Sequence, residues 1–170
     1  MRSIQNLSHL TVDAYLKVGD LAIDATIKHG DITRFLASRV GEEGKVLAFS
    51  DQKTDIDDVA TSLFLSGLHE RVDLINQSFT AIPNYLDPSQ PVGAAFFQVD
   101  ATLPIVSLLA TIKPLLMALK ENGLLVFLAE HPTDLAQVSD YAQTLPTKTY
   151  DVQSYTDLLT DSCALLIQRH

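Results

Sequence analysis

The chain has 170 residues, which suits one folded domain, and its 46% hydrophobic and 19% charged residues exclude the composition of a disordered protein. Twelve Lys and Arg stand against 21 Asp and Glu, and the net charge of -9 disfavours binding to phosphate backbones on average. No apolar run approaches the roughly 18 residues that span a bilayer, and the first residues lack a signal-peptide pattern. We therefore expect a cytoplasmic protein.

Short aliphatic runs alternate along the chain with longer segments whose apolar residues recur at helical spacing. The first element is a leading helix at 6–17, inside a segment 1–18. Strands are predicted at 21–24, 45–49, 72–75, 93–97, 124–128, 149–153 and 164–167. Helices are predicted at 31–40, 53–66, 79–86, 103–121 and 133–144.

This strand–helix alternation predicts right-handed crossovers and a mostly parallel sheet that is covered on both faces. The last two strands are joined by only residues 154–163, which is too short for a helical crossover, so we expect them to pair antiparallel. The predicted fold class is α/β, a doubly wound seven-stranded sheet with an antiparallel C-terminal hairpin. Ligands of such sheets bind beyond the carboxyl ends of the strands, which here means the loops after Asp24, Phe49, Ile75 and Phe97.

A motif follows the first predicted strand, and it carries a family resemblance. Asp24, Ala25, Thr26, Gly30 and Thr33 match the pattern Asp-Ala-Thr-x-Gly-x-Gly-x-Asp-Thr. This pattern resembles the opening motif of a bacterial rRNA methylase family among the class I S-adenosylmethionine-dependent methyltransferases, related to enzymes that methylate the wobble uridine of tRNA. The resemblance extends weakly over nearly all of residues 1–170. It implies a single methyltransferase-like domain with S-adenosylmethionine as cofactor and RNA as partner.

The resemblance places the methionine part of the cofactor against the loop after the first strand, with Asp24, Thr26 and Gly30 as binding residues. Lys28 stands where the family has its first loop glycine, and this long side chain is expected to obstruct the cofactor. Gly30 has two interpretations, a cofactor loop and a helix-entry turn, which the sequence does not separate.

Two further cofactor contacts are expected after the second and third strands. The family has a ribose-binding acidic residue where this chain has Ser50, and the neighbouring Asp51 is the candidate replacement. The alternative for Asp51 is a solvated turn or an N-terminal helix cap, with Asp55, Asp57 and Asp58 as charges on the surface of the next helix. Gln77 is the candidate for the adenine amino group, because its carbonyl oxygen can accept a hydrogen bond.

Residues for the methyl acceptor are expected after the fourth and fifth strands. Gln98 keeps the amide of a family motif, and His131, beside Glu130, can take a proton at neutral pH. The alternative for His131 is a loop that opens a helix. Cys163, the only cysteine, lies in an apolar run and is interpreted as inert. The five histidines lack metal-site spacing, so no metal site is predicted.

Two hypotheses remain open. The first is a methyltransferase that acts on RNA by direct displacement, which needs alignment more than a nucleophile of its own. The second is a non-catalytic protein that keeps the fold as a binding or regulatory module, as Lys28 and Ser50 suggest. The apolar helix at 103–121 is interpreted as part of the core, and the alternative is a homodimer contact through its leucines, namely Leu108, Leu109, Leu115 and Leu116.

Overall fold

A seven-stranded sheet forms the centre of the computed structural model, which describes residues 1–170. The strand order is β3-β2-β1-β4-β5-β7-β6. The strands are β1 (Leu21–Asp24), β2 (Lys45–Phe49), β3 (Val72–Ile75), β4 (Val92–Gln98), β5 (Leu119–Ala129), β6 (Tyr150–Thr156) and β7 (Cys163–Arg169). β1 to β5 are parallel, and β7 runs antiparallel to both β5 and β6, so the predicted fold class is confirmed.

Helices cover both faces of the sheet. α1 (Ile4–Tyr15), α2 (Asp31–Val40) and α3 (Lys53–Leu65) pack on one face, and α4 (Ile105–Ala118) and α5 (Ala136–Ala142) pack on the other. The adjacent residues Phe96 and Phe97 of β4 are both fully buried, one in each apolar layer. Because successive side chains of a strand point to opposite faces, a sheet covered on both sides needs continuous apolar runs of this kind.

The predicted boundary between the fourth helix and the fifth strand is wrong. α4 ends at Ala118 rather than at residue 121, and β5 begins at Leu119, which pairs with Val92. The pairing then shifts, so that the next partners are Leu124 and Ala94. Asn122 has a left-handed φ of 66°, which a helix does not accommodate. The tertiary pairing of Leu119 therefore overrides the helical pattern of the preceding segment.

Two other predicted helices are shorter or tighter than expected. The segment Phe79–Tyr85 is 3-10 helical and contains Pro83, which has no N–H to donate to an α-helical ladder. The predicted helix at 133–144 divides into a 3-10 turn, Pro132–Leu135, and α5. The leading helix begins and ends two residues earlier than predicted.

The leucines of α4 pack in the core or, for Leu109, partly buried against it. Leu108 and Leu115 are fully buried and Leu116 is 3% exposed, all in the core beneath the helix. The interpretation of this helix as part of the core is confirmed, and the homodimer contact stays a prediction. None of the helices combines the length and the hydrophobicity that a membrane-spanning segment requires.

Candidate functional site

A cavity of about 560 Å³ lies beyond the carboxyl ends of β1, β4 and β5. The strand order reverses direction between β1 and β4, and this switch point is where open α/β sheets bind their ligands. The volume of the cavity is within the range of about 300–1,000 Å³ that small-molecule sites have. The side chains that line it include Lys28, Gln98, Asp100, Glu130, His131 and Asp134.

Asp24, the last residue of β1, is buried and does not line this cavity. Its side chain is only 1% exposed, and its carboxylate accepts hydrogen bonds from the Thr33 hydroxyl at 2.6 Å and from the Thr26 N–H at 3.2 Å. Burial raises its pKa to about 6, although the bonds from Thr33 and Thr26 act in the opposite direction. Its two carboxylate oxygens are bonded to the loop and to α2, so Asp24 holds the loop in place through hydrogen bonds.

Thr26 ties this loop to the end of β4. Its hydroxyl accepts a hydrogen bond of 2.7 Å from the backbone N–H of Gln98. Backbone bonds from Ala25 to Phe96 and from Ile27 to Phe49 hold the neighbouring residues against β4 and β2. The loop therefore leaves the strand in a fixed direction.

Gly30 is the residue that precedes α2, and its φ of 84° is left-handed. A Cβ at this position would lie 2.9 Å from Nη1 of Arg34 and 3.2 Å from a methyl group of Val59. These neighbours belong to α2 and α3, and Gly30 is not among the residues that line the cavity. The structure therefore supports the interpretation of Gly30 as a helix-entry turn, because its left-handed φ and its close neighbours in α2 and α3 both require a glycine.

Lys28 forms an ion pair across the switch point. Its Nζ lies 2.9 Å from Oδ2 of Asp100, which follows β4, and the two side chains are 41% and 44% exposed. Hydrogen bonds from the Thr102 side chain and from Lys28 lower the pKa of Asp100 to about 2, so its carboxylate is ionised at neutral pH. The Lys28 side chain forms part of the wall, and the cavity remains open beside it.

Ser50 is buried at the end of β2, and its hydroxyl is occupied by the next helix. Its Oγ accepts a bond of 3.1 Å from the Gln52 N–H and donates one of 3.1 Å to Oδ2 of Asp55. Asp51 is exposed, and its carboxylate accepts a bond from the Gln52 side-chain amide. The carboxylate in contact with Ser50 is thus that of Asp55, in the first turn of α3, which the sequence indicated only as a helix-surface charge.

Gln77 lies at the neighbouring strand end, after β3. Its side-chain carbonyl accepts a hydrogen bond of 3.3 Å from the Tyr85 hydroxyl. Neither Gln77 nor Asp51 lines the cavity described above. The structure therefore places the residues predicted for the adenosine part of a cofactor on the β2–β3 side, apart from those predicted for the acceptor.

Gln98 and His131 do share the cavity. The side-chain amide of Gln98 has no hydrogen-bond partner in the protein, and neither has the imidazole of His131, which precedes the 3-10 turn Pro132–Leu135. Two unpaired polar groups in one wall provide a donor, an acceptor and a base for a ligand. Glu130 lies next to His131 in the same wall.

Cys163 also reaches this cavity, but it is not suited to nucleophilic chemistry. It is 4% exposed, and burial raises the pKa of its thiol, with Asp134 and Asp161 adding to the effect. A thiol that is harder to ionise is a weaker nucleophile at neutral pH. No group of three His, Cys, Asp or Glu side chains is placed to hold a metal ion.

Comparison with known proteins shows what fold this is. No family model matches the sequence. A proposed rRNA methylase from Clostridium thermocellum is 22% identical, with a TM-score of 0.91 over 100% of this chain and 99% of that one. A proposed methyltransferase from Streptococcus mutans, in complex with S-adenosylhomocysteine, is 23% identical with a TM-score of 0.89 over 100% and 99%. An rRNA methylase from Streptococcus thermophilus is 22% identical with a TM-score of 0.86 over 99% and 98%. The chain therefore has the class I methyltransferase fold over its whole length.

Proposed function

We propose that this protein is an S-adenosylmethionine-dependent methyltransferase. The observation that carries the proposal is the cavity at the switch point between β1 and β4, which contains Gln98 and His131 with free polar groups. The structural neighbour from S. mutans holds S-adenosylhomocysteine, the product that the cofactor becomes after methyl transfer. Fold similarity alone does not establish an activity, so the proposal depends on these residues.

Residues at two strand ends are suited to hold the cofactor, those after β1 and those after β2. The loop 25–30 is fixed by Asp24 and Thr26, and Lys28 leaves about 560 Å³ open beside it. Two carboxylates near the end of β2 are candidates for binding the ribose hydroxyls, those of Asp51 and Asp55. Asp55 is better supported, because it contacts the hydroxyl of Ser50.

Bound S-adenosylmethionine supplies an electrophilic methyl group on its sulfonium sulfur. The protein has to align an acceptor with that group, and alignment alone can contribute several kcal/mol to a displacement. Gln98 can hydrogen-bond the acceptor through its free amide, and the imidazole of His131 can take the proton that the acceptor loses. Gln77, through its carbonyl, is the proposed contact for the adenine amino group.

RNA is the acceptor class that we propose, from the family resemblance and from the names of two structural neighbours. One observation favours a second class, a small neutral or cationic acceptor. The cavity wall holds Asp100, Glu130 and Asp134 against the single cation Lys28, a formal charge of -2 with the histidines neutral. A negatively charged wall repels a polyanion such as RNA.

The cytoplasm is the location that we propose.

Transfer of a labelled methyl group distinguishes these candidates. Purified protein is incubated with methyl-labelled S-adenosylmethionine and either total bacterial RNA or an RNA-free small-molecule extract, each at low and at high salt. Label in RNA that falls steeply with salt supports an RNA methylase, whereas label in the extract alone supports a small acceptor. If calorimetry also detects no binding of S-adenosylmethionine at millimolar concentration, the protein is a non-catalytic module and the proposed function is wrong.

A further inference from the structure

Lys28 is the only lysine or arginine in the wall of the cavity. The other charged side chains there are the carboxylates Asp100, Glu130 and Asp134. A carboxylate that leaves water for a protein cavity needs a cationic or hydrogen-bonding partner, and neighbouring carboxylates oppose its entry. Among the side chains of the wall, Lys28 is therefore the permanent positive charge with which a ligand carboxylate can pair, beside the hydrogen-bond donors that Gln98 offers.

The position of Lys28 also suits this pairing. Lys28 projects from the loop after β1 and Asp100 from the loop after β4, so the pair spans the crevice at the switch point. An ammonium group has three donors, and Asp100 uses one of them at 2.9 Å. Oδ1 of Asp100 is taken by the N–H and the hydroxyl of Thr102, which hold the carboxylate in a fixed orientation. Two donors of Lys28 thus remain for a ligand.

We propose that Lys28 recognises the carboxylate of the amino-acid end of S-adenosylmethionine, with Asp100 as the positioning residue that holds the ammonium group at the cavity wall. This inference rests on the proposed function and concerns the same cavity. It reverses the expectation drawn from the sequence, in which a lysine in place of a loop glycine obstructs the cofactor. In this account the lysine provides binding energy that the glycine lacks.

Two ligands that differ at the amino-acid end test the proposal by calorimetry. S-adenosylhomocysteine carries the carboxylate, whereas 5′-methylthioadenosine keeps the adenosine and the sulfur but has neither carboxylate nor ammonium. The variants are Lys28→Met, which keeps the length of the side chain, and Lys28→Gly, which restores the family residue. Lys45→Met is the matched control. Lys45 forms a similarly exposed ion pair with Asp73, at 3.2 Å, but it lies at the amino end of β2, on the side of the sheet away from the cavity.

We expect Lys28→Met and Lys28→Gly each to weaken S-adenosylhomocysteine binding at least tenfold and to change methylthioadenosine binding less than twofold. Lys45→Met should bind both ligands like the wild type. Equal loss for both ligands, or tighter S-adenosylhomocysteine binding by Lys28→Gly, would overturn the inference while leaving the proposed function in place. Failure of the wild type to bind either ligand would overturn the proposed function, and this inference with it.

Discussion

The buried carboxyl of Asp24 makes the stability of the protein depend on pH in a predictable direction. Burial raises its pKa to about 6 from an ordinary value of 3.8, so the folded protein holds the proton more tightly than the unfolded chain does. The stability that this proton contributes is complete below about pH 4 and is lost as the pH rises through 6. The rise in the pKa from 3.8 to about 6 corresponds to about 3 kcal/mol of unfolding free energy.

The Asp24→Asn variant isolates this contribution, because the amide does not titrate. The free energy of unfolding of both proteins is measured by urea denaturation at intervals from pH 3.5 to 7.5. We expect the wild type to lose about 3 kcal/mol relative to the variant across that range, with the steepest change between pH 4 and 6. Other groups, such as Asp100 with its pKa near 2, are common to both proteins and cancel in the difference.

A second variant tests the cause of the shift. The Thr33 hydroxyl donates to Asp24 at 2.6 Å and favours the ionised form, so Thr33→Val should raise the pKa of Asp24 further and extend the pH-dependent loss above pH 6. A stability difference between wild type and Asp24→Asn that stays constant from pH 3.5 to 7.5 would refute the reasoning, since it would mean that Asp24 ionises as in the unfolded chain.

Gly30→Ala should lower the free energy of unfolding by about 2–4 kcal/mol, because the left-handed backbone and the close packing at Gly30 combine. Gly67 has a φ of 73° and free space around it, so Gly67→Ala should lower the free energy of unfolding by only about 1–2 kcal/mol. Urea denaturation measures both. Asp55→Asn should weaken S-adenosylhomocysteine binding about tenfold by calorimetry, since it removes a charged hydrogen-bond acceptor, whereas equal losses in Asp55→Asn and Asp51→Asn would contradict the role given to Asp55. His131→Ala should reduce the rate of methyl transfer to RNA about 100-fold and leave S-adenosylhomocysteine affinity unchanged; loss of affinity instead would assign His131 to cofactor binding.

Local sequence signals predicted most of the fold. The bounds of β1, α2, β2 and β3 agree with the structure to the residue, because short aliphatic runs there are set off by polar turns. The start of β5 could not be predicted, since Leu119 continues the helical pattern of α4 and becomes a strand residue only through its pairing with Val92. Non-local pairing of this kind leaves no trace in a local pattern.

The site was less predictable than the fold, for the same reason. The pair between Lys28 and Asp100 joins residues 72 positions apart, so the sequence showed a lysine in place of a glycine without showing its partner. From the sequence, Asp55 was only a charge on a helix. In the structure its carboxylate contacts the hydroxyl of Ser50, the residue that stands where the family has its ribose-binding carboxylate. That Gln98 and His131 lie in one cavity could be expected from the sequence, because Gln98 ends β4, His131 follows β5, and the carboxyl ends of these parallel strands meet at one edge of the sheet. Their roles stay predictions.

Above all, we propose that the cofactor binds at the carboxyl ends of β1 to β4, with its amino-acid end in the crevice between the loops that follow β1 and β4. Amide chemical shifts recorded by nuclear magnetic resonance during a titration with S-adenosylhomocysteine test it most directly. We expect the largest changes at residues 26–30 and 98–101 and at the residues proposed for the adenosine, 50–55 and 77, with little change at the opposite edge, the amino ends of the strands near Gly19 and Lys45. Shifts confined to that opposite edge, or no shifts at millimolar ligand, would contradict the account.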